Sequence, residues 1–599
     1  MSRTPLRPLA RILEARARGE NPDTIERENL RLRRERADDA DRQRAEGRLL
    51  VLVILFLMMF SVVGARMGML AAGNPQEPRT ASIGTPISGA RADIVDREGR
   101  VLATNMITHS LYAQPHLMVD AEGAARALAE IFPDLDAARL TRQFTDPGRT
   151  FVWIRRRLSP EQIQAVHDLG EPGLLFGPRE MRLYPNGQLA AHVLGGTRFG
   201  REGVRAAEVI GTAGIERALD DTLRDPAREG RPLQLSLDLT VQAATREVLQ
   251  GGINLLNARG GSAVLMDARS GEIAAMVSLP DFDPNARPAP PTEGDQADSP
   301  LFNRAVQGLY ELGSVFKVFT IAQALDDGGV DPDTMVDTSG PLRWGRFAIS
   351  DFRNYGEELS VRDVLVHSSN IGSARLAREI GAEAQQSFLS DLGLLEATPV
   401  ELAEAPGAIP LRPENWSEIS TMTISYGHGV STSPVHLAAG YASIVNGGIA
   451  VTPTLLRRDS PARGPRVISE ETSQHMRDLL RAIVTDGTAS FAEVAGYAVG
   501  GKTGTADKPR PQGGYYEDRV LATFAGVFPA DEPRYVVVVT LDEPVETSGD
   551  EPRRTAGWTA VPVAAEIIRR AAPLLGLPPD YGPSEIAAGP ADALTPVGN

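Results

Sequence analysis

Three lysines, Lys317, Lys502 and Lys508, stand among 62 basic residues in this chain of 599; the other 59 are arginines. An arginine keeps its charge to a pKa above about 12, whereas a lysine can be made neutral by desolvation and a nearby positive charge. Lys317 closes the run Gly313-Ser314-Val315-Phe316-Lys317. The apolar stretch Val315 to Leu325 has helical character, which predicts Ser314 at a helix N-terminus with Lys317 on the same face. A serine hydroxyl is a poor nucleophile until a base takes its proton, and a neutral lysine at that spacing can be the base. Ser-x-x-Lys alone is common by chance; the scarcity of lysine gives it weight here.

Two more runs join it. Ser368-Ser369-Asn370, after Val361 to His367, reads by itself as polar surface or a helix cap, or else as a second hydroxyl beside an amide. Lys502-Thr503-Gly504-Thr505 reads as a strand edge, or as a second amine flanked by hydroxyls, and Lys508, in a Gly/Pro-rich loop, as an ordinary surface charge. A competing pattern shares this lysine: Gly496 to Thr503 satisfies the phosphate-binding G-x-x-x-x-G-K-[ST], and Val536 to Asp542 mimics a strand ending in a metal-binding aspartate. That chemistry needs a helix starting at the Lys-Thr pair. Two prolines and three glycines between Gly504 and Gly514 oppose one, so a nucleotide hydrolase is rejected. His-Glu-x-x-His and Gly-x-Ser-x-Gly are absent, and with no cysteine there is no thiolate nucleophile, disulfide or cysteine metal site.

In the order SxxK, SxN and KTG, the three runs resemble the penicillin-binding proteins and serine β-lactamases. Asn303-Arg304-Ala305-Val306, Ser425-Tyr426-Gly427-His428-Gly429 with Ser433-Pro434, and Phe524-Ala525-Gly526-Val527-Phe528-Pro529 are similar to stretches of the class B, monofunctional members. So are Asp96-Arg97-x-Gly99 with Leu102-Ala103, Arg182-x-Tyr184-Pro185, Ala191-His192-Val193-Leu194-Gly195 and Gly214-Ile215-Glu216, nearer the N-terminus. Tyr355-Gly356 and Leu359 to Val364, leading into Ser368-Ser369-Asn370, most resemble the division-specific FtsI type; the elongation-specific type is the alternative. The resemblance spans roughly 85 to 565. It departs at Leu312, where many relatives have proline, and at His428, where glutamine is common.

The resemblance implies a serine D,D-transpeptidase that binds peptidoglycan stem peptides and β-lactams and uses no metal or cofactor. Ser314 would attack the penultimate D-Ala carbonyl with Lys317 as base, and Ser368 and Lys502 would relay a proton to the leaving amine. Asn370 would hold Lys317 and bind the substrate amide; Thr503, Gly504 and Thr505 would bind the terminal carboxylate. The backbone N–H groups of Ser314 and Thr505 would form the oxyanion hole. No Glu-x-x-Leu-Asn stretch follows the second run, so the water-holding glutamate of class A β-lactamases is missing and a penicilloyl enzyme should be long-lived. A β-lactam sensor or a divisome scaffold with little catalysis is the non-enzymatic alternative. A glycan polymerase of the FtsW type and other divisome proteins are the implied partners.

Positioning these residues requires an α+β architecture. Strand patterns at Gly261 to Asp267, Glu272 to Leu279 and Tyr535 to Leu541 flank a central helical region, which predicts one sheet built from both ends of a domain and an all-helical lobe between them. Leu239 to Leu255, Ala121 to Ile131 and Val561 to Leu575 read as helices, Leu233 to Leu237 as a strand, and Pro280 to Pro300 as an exposed loop. The chain divides into a tail (1–48), an apolar span (49–72), an N-terminal pedestal (73–232, opening with a linker to 90), a transpeptidase domain (233–575) and a disordered tail (576–599). No repeats appear at solenoid periods.

Leu49 to Ala65 are seventeen residues without a charge, at the short end of a membrane span; a buried core helix fits less well because the run has no polar face, and a signal peptide because 48 residues precede it. Those 48 carry thirteen arginines and ten acidic residues, which places the N-terminus in the cytoplasm and the rest outside the inner membrane. What remains has 49 basic and 68 acidic residues, a balance opposed to nucleic-acid binding.

Overall fold

The computed structural model describes residues 91–202, 207–458, 464–510 and 512–581, together with 7–21, 52, 54–64 and a few positions between 23 and 31. Two compact units are formed, Met1–Pro86 and Ile87–Asn599. In the first, Arg7–Ala17 is a helix, and residues 54–64 are helical with exposed side chains. Among the described residues no helix is long and apolar enough to cross a membrane; the remainder of the expected span 49–72 and the linker 73–90 lie outside them.

The second unit is organised on one antiparallel sheet. Its strands run in the order Gly500–Pro509, Tyr515–Phe528, Tyr535–Asp542, Gly260–Asp267, Ile273–Leu279. Both ends of the catalytic half therefore supply strands, and the helical lobe comes from the residues between, as the sequence pattern predicts. The unbroken run Val536-Val537-Val538-Val539 suits a strand covered on both faces, and every residue of Tyr535–Asp542 and Ile273–Leu279 is buried. Helices Leu239–Leu255 and Ala560–Leu574 pack on each other and on the sheet, while Pro434–Val445 packs on the central strands. Gly500–Pro509 is left as an edge.

Serine punctuates the helical lobe. Ser360, Ser369, Ser417, Ser433 and Ser469 each accept a backbone N–H at the first turn of the helix they precede, which fixes where Val361–Val366, Asn370–Ile380, Glu418–Ile424, Pro434–Val445 and Glu470–Thr485 begin. The expected helix after Ser314 starts as a 3-10 turn, Gly313–Phe316, and becomes α-helical at Lys317–Asp326.

Four sequence expectations need correction. Leu233 to Leu237 contributes only the short strand Leu233–Gln234, because the backbone beyond it pairs with another segment, Leu235 bridging Leu456 and Ser236 N–H donating to Leu455 O, while the Ser236 hydroxyl donates to the carbonyls of Ile273 and Thr454. The C-terminal tail does not begin at 576: Leu577 N–H donates to Ala572, Tyr497 Oη donates to Leu577 O, and Asp580 N–H donates to Gly496, so residues to 581 are tied down and 582–599 lie outside the described residues. Pro280 to Pro300 is not wholly exposed; Asn285 clamps Tyr184 in both directions, Tyr184 N–H donating to Oδ1 at 3.0 Å and Nδ2 donating to Tyr184 O at 2.9 Å. Lys508 lies in the edge strand, not in a loop, and pairs with Asp542 and Glu543.

The pedestal is built on Val101–Ala113, which pairs antiparallel with Ile94–Val95, Val152–Leu158 and Leu174–Leu183. Ile94–Val95 also pairs in parallel with Leu233–Gln234, so the pedestal sheet continues into the start of the catalytic half. Its base residues Ile94, Leu102, Val193, Leu194 and Ile215 belong to the same apolar core as the catalytic sheet. A separate core around Leu111, Leu128, Phe132 and Phe144 holds the pedestal's other end.

The N-terminal stretches singled out in the sequence converge at that base. Glu216, fully buried, receives Arg91 Nε at 2.5 Å, Arg182 Nε at 2.7 Å and Tyr184 Oη at 3.3 Å. Removing one partner of a buried ion cluster strands the others without counter-charge. Glu216→Ala should therefore cost about 3–5 kcal/mol and lower the thermal midpoint by several degrees. A midpoint within about 1 °C of the parent would show that Arg91 and Arg182 find other partners.

Candidate active site

The first turn of Gly313–Phe316 and Lys317–Asp326 brings Lys317 Nζ to 2.9 Å from Ser314 Oγ, as the three-residue spacing predicts. Ser368 stands between two helices, Val361–Val366 and Asn370–Ile380, and adopts a left-handed backbone with φ of 62°. For a non-glycine residue that conformation is strained, and such strain collects at functional sites. Here it turns both the carbonyl and the hydroxyl of Ser368 to Lys317 Nζ, at 2.7 and 3.0 Å. Asn370 Oδ1 accepts from the same amine at 2.7 Å. Lys502, from the edge strand, donates to Ser368 Oγ at 3.0 Å and to Thr503 O at 3.0 Å.

Ser314, Lys317, Ser368, Asn370 and Lys502 thus form one hydrogen-bonded cluster drawn from three separate runs of sequence. Both amines are at 0% exposure, while Ser314, Ser368 and Asn370 are half-buried and reachable. Burial pushes Lys317 well below the ordinary lysine value, and the positive charge of Lys502 pushes the same way against a smaller opposing effect of Asp351. Burial lowers Lys502 to about 7. The donor count agrees. Two of the four atoms around Lys317 Nζ, Ser368 O and Asn370 Oδ1, are carbonyls that can only accept. A neutral amine spends its two hydrogens on them and keeps a lone pair for a hydroxyl proton. The arrangement can deprotonate Ser314 and can hold a single positive charge on Lys502.

Thr503, Gly504 and Thr505 lie on the edge strand beside the turn that carries Ser314. Thr503 Oγ1 is 2.9 Å from Thr488 Oγ1, and Thr505 Oγ1 accepts the Ala556 N–H at 3.0 Å. A Cβ added at Gly313 would stand 2.9 Å from Thr505 O and 3.3 Å from Thr505 N, so the backbone just before Ser314 lies against Thr505. That approach has two further steric conditions. A Cβ at Gly504 would overlap Leu312 O, and one at Gly427 would overlap Gly313 O.

Sequence reasoning assigned no role to Asp351, Thr488 or Glu311. Asp351 accepts from Ser369 Oγ at 2.7 Å, from Asn370 N–H at 2.5 Å and from Ile371 N–H at 3.0 Å, pinning the start of Asn370–Ile380 and with it the amide that holds Lys317. Glu311 accepts from Gly429 N–H at 2.7 Å and from Tyr515 Oη at 2.9 Å, tying the segment before Ser314 to two neighbouring segments. None has a spacing signal, because each acts across a distant part of the chain. His367 stacks on Tyr355 with ring centroids 5.3 Å apart, a structural contact outside the cluster. Gly496 to Thr503, which matched a phosphate loop in sequence, leads into the strand Gly500–Pro509, with no helix to hold a phosphate. Among the described residues no group of His, Asp or Glu is placed to hold a metal ion.

Comparison with known proteins matches the chain to two family models. Residues 261–569 match the penicillin binding protein transpeptidase domain, and residues 86–228 match the penicillin-binding protein dimerisation domain. The chain is 35% identical over 577 residues to the probable peptidoglycan D,D-transpeptidase FtsI of Caulobacter vibrioides, covering 94% of this chain and 95% of that one. It is 30% identical over 481 residues to the peptidoglycan D,D-transpeptidase FtsI of Escherichia coli K12, covering 76% and 80%. A crystal structure of penicillin-binding protein 3 from Mycobacterium tuberculosis, complexed with aztreonam, aligns with a TM-score of 0.62 at 27% identity, covering 83% of this chain and 98% of that one.

Gly427 offers a test of the geometry that leaves every polar group in place. Gly427→Ala should push the Gly313 carbonyl, and Ser314 with it, out of register with Thr505. Acylation of Ser314 by a β-lactam should slow by about a hundredfold, the scale of a small misplacement, with the fold intact by circular dichroism. Parent-like acylation would show that the close approach is not needed.

Proposed function

The chain belongs to the class B penicillin-binding proteins of the FtsI type, and from that membership we propose that Ser314 is the nucleophile of a peptidoglycan D,D-transpeptidase that cross-links stem peptides in septal wall synthesis. The observation that carries this assignment is the chain of contacts Ser314–Lys317–Ser368–Lys502 around two dehydrated amines. Ser314 Oγ attacks the penultimate D-Ala carbonyl carbon and gives its proton to neutral Lys317 Nζ. The oxyanion that forms is held by the backbone N–H groups of Ser314 and Thr505, where loss of one donor typically costs about 3–4 kcal/mol. The C–N bond then breaks, and the departing amine takes a proton from Lys502 through Ser368 Oγ. A Lys502 amine lowered to about 7 suits that donation near neutral pH. Asn370 orients the substrate amide, and Thr503, Gly504 and Thr505 receive the terminal carboxylate. The amine of a second stem attacks the resulting ester and restores Ser314. β-Lactams enter by the same route and remain as esters.

The surrounding assignments extend this reading. The uncharged run Leu49 to Ala65, with arginines before it, supports a single inner-membrane anchor at 49–72, with residues 1–48 in the cytoplasm and the pedestal (73–232) and transpeptidase domain (233–575) outside. A glycan polymerase of the FtsW type and other divisome proteins are the partners, with the pedestal as their docking surface.

Labelled penicillin should acylate the parent and leave Ser314→Ala unlabelled; retained covalent label would remove Ser314 from the nucleophile role. A fluorescent fusion should gather at mid-cell, and Ser314→Ala should fail to restore septation in cells lacking the parent. The pH profile tests Lys317. Acylation needs its neutral form, so the rate rises with pH through its folded-state pKa, and because that value is depressed the plateau is reached well below 10.5 and ends where Lys502, lowered to about 7, loses the proton it must donate. Lys317→Arg should lower the plateau by about a thousandfold, since a guanidinium cannot take the proton. A parent profile that keeps rising to 10.5, or an active arginine variant, would defeat the assignment of the base.

A further inference from the structure

A recess of about 440 Å³ opens on the lobe side of the catalytic cluster, between the hairpin Leu342–Trp344 with Phe347–Ile349, the loop 350–357 and the start of Asn370–Ile380. Asn370 is the partition. Its Oδ1 accepts from Lys317 Nζ at 2.7 Å, and its Nδ2 donates at 3.0 Å to the carbonyl of Ser350, which lines the recess. Asp351 lines it too, but its carboxylate is committed to Ser369 Oγ and to the N–H groups of Asn370 and Ile371.

Two charged lining residues have no such commitment. Arg353 is exposed, with its guanidinium 5.3 Å from the centroid of the Tyr355 ring, and Tyr355 is itself stacked on His367. Glu357 is exposed and fixed through its backbone, whose carbonyl accepts the N–H groups of Thr338 at 2.8 Å and Ser339 at 3.0 Å. Among the described residues neither side chain has an ion-pair partner, although the two line one recess. Opposite charges that share a recess and stay apart leave room for a ligand that carries both, its carboxylate on the guanidinium fork and its ammonium on the carboxylate. A stem peptide with a free carboxylate and a free amine has that chemistry. In the reading above the first stem is received by the edge strand at Thr503 to Thr505, which leaves the Asn370 side for the second. Resting on that reading, we propose that the recess docks the second stem, with Arg353 on its carboxylate and Glu357 on its amine in the protonated form. Once the ammonium has given its proton to water, the neutral amine is released from Glu357, and Asn370 lies between it and the ester on Ser314.

Penicillin occupies Ser314 in place of the first stem, so the penicilloyl enzyme presents the second stem's site alone. Calorimetric titration of the penicilloylated full chain in detergent, with a synthetic stem peptide carrying a free carboxylate and a free side-chain amine, should show one saturable site. Arg353→Ala should weaken it at least about tenfold, and so should amidation of the peptide's carboxylate. The two changes together should lose no more affinity than either alone, a coupling that a merely structural effect of the substitution would not produce. Glu357→Gln should behave in the same way towards acetylation of the amine. Penicillin should acylate both variants at the parent rate. Failure of the parent to be acylated would remove the serine reading and this proposal with it. With acylation intact, absence of saturable binding, parent-like affinity in Arg353→Ala, or losses that simply add would overturn the recess as the second stem's site.

Discussion

Two lysine amines buried against one serine hydroxyl set the terms for the catalytic half. Lys317 and Lys502 each stand 3.0 Å from Ser368 Oγ, and neither is hydrated. Two positive charges at that separation in a dry site cannot coexist at neutral pH, so the pair shares one. Lys317 gives up its proton because it is dehydrated, faces the charge of Lys502 and is held by carbonyls that accept from an amine as well as from an ammonium. The burial that weakens both bases is the same burial that makes one of them useful.

Holding that pair together dictates much of the surrounding architecture. Lys317 comes from the helical lobe and Lys502 from the sheet edge, so lobe and sheet must meet with atomic register. Gly504 and Gly427 permit backbone contact that a side chain would block, and Ser368 is held in a left-handed turn between two serine-capped helices. Asp351 completes the fixation by accepting from two backbone N–H groups at the start of Asn370–Ile380. The edge position of Gly500–Pro509 leaves open the side of the strand that an inner strand would have paired, at Thr503 and Thr505 as elsewhere.

Much of this was legible in the sequence, for identifiable reasons. Leu239–Leu255 and Ala121–Ile131 match the helices read from periodicity to the residue, because an aspartate caps each and the apolar spacing continues to the end. The sheet with strands from both ends was visible in the β-branched run at Val536 to Val539. The eight candidate site residues were visible because lysine is scarce and the three runs keep a fixed order. Asp351 and the short strand Leu233–Gln234 were not. Asp351 acts on residues eighteen to twenty positions away through a loop, and the backbone at Leu235 and Ser236 is taken by Leu456 and Leu455, a pairing that periodicity does not register.

Lys508 shows what scarcity alone leaves undecided. It is one of the three lysines and lies in the same strand as Lys502, six residues further on, yet its amine meets Asp542 at 2.6 Å and Glu543 at 2.8 Å. Carboxylates neutralise an ammonium without removing its proton, so this lysine is a cross-strand clamp that an arginine's charge could also serve. Lys317 and Lys502 meet only hydroxyls, an amide oxygen and backbone carbonyls. Neutral acceptors solvate a buried ammonium incompletely and leave its proton free to move. What separates Lys502 from Lys508 in this strand is therefore the charge of its neighbours, a property of the folded chain that residue counts cannot contain.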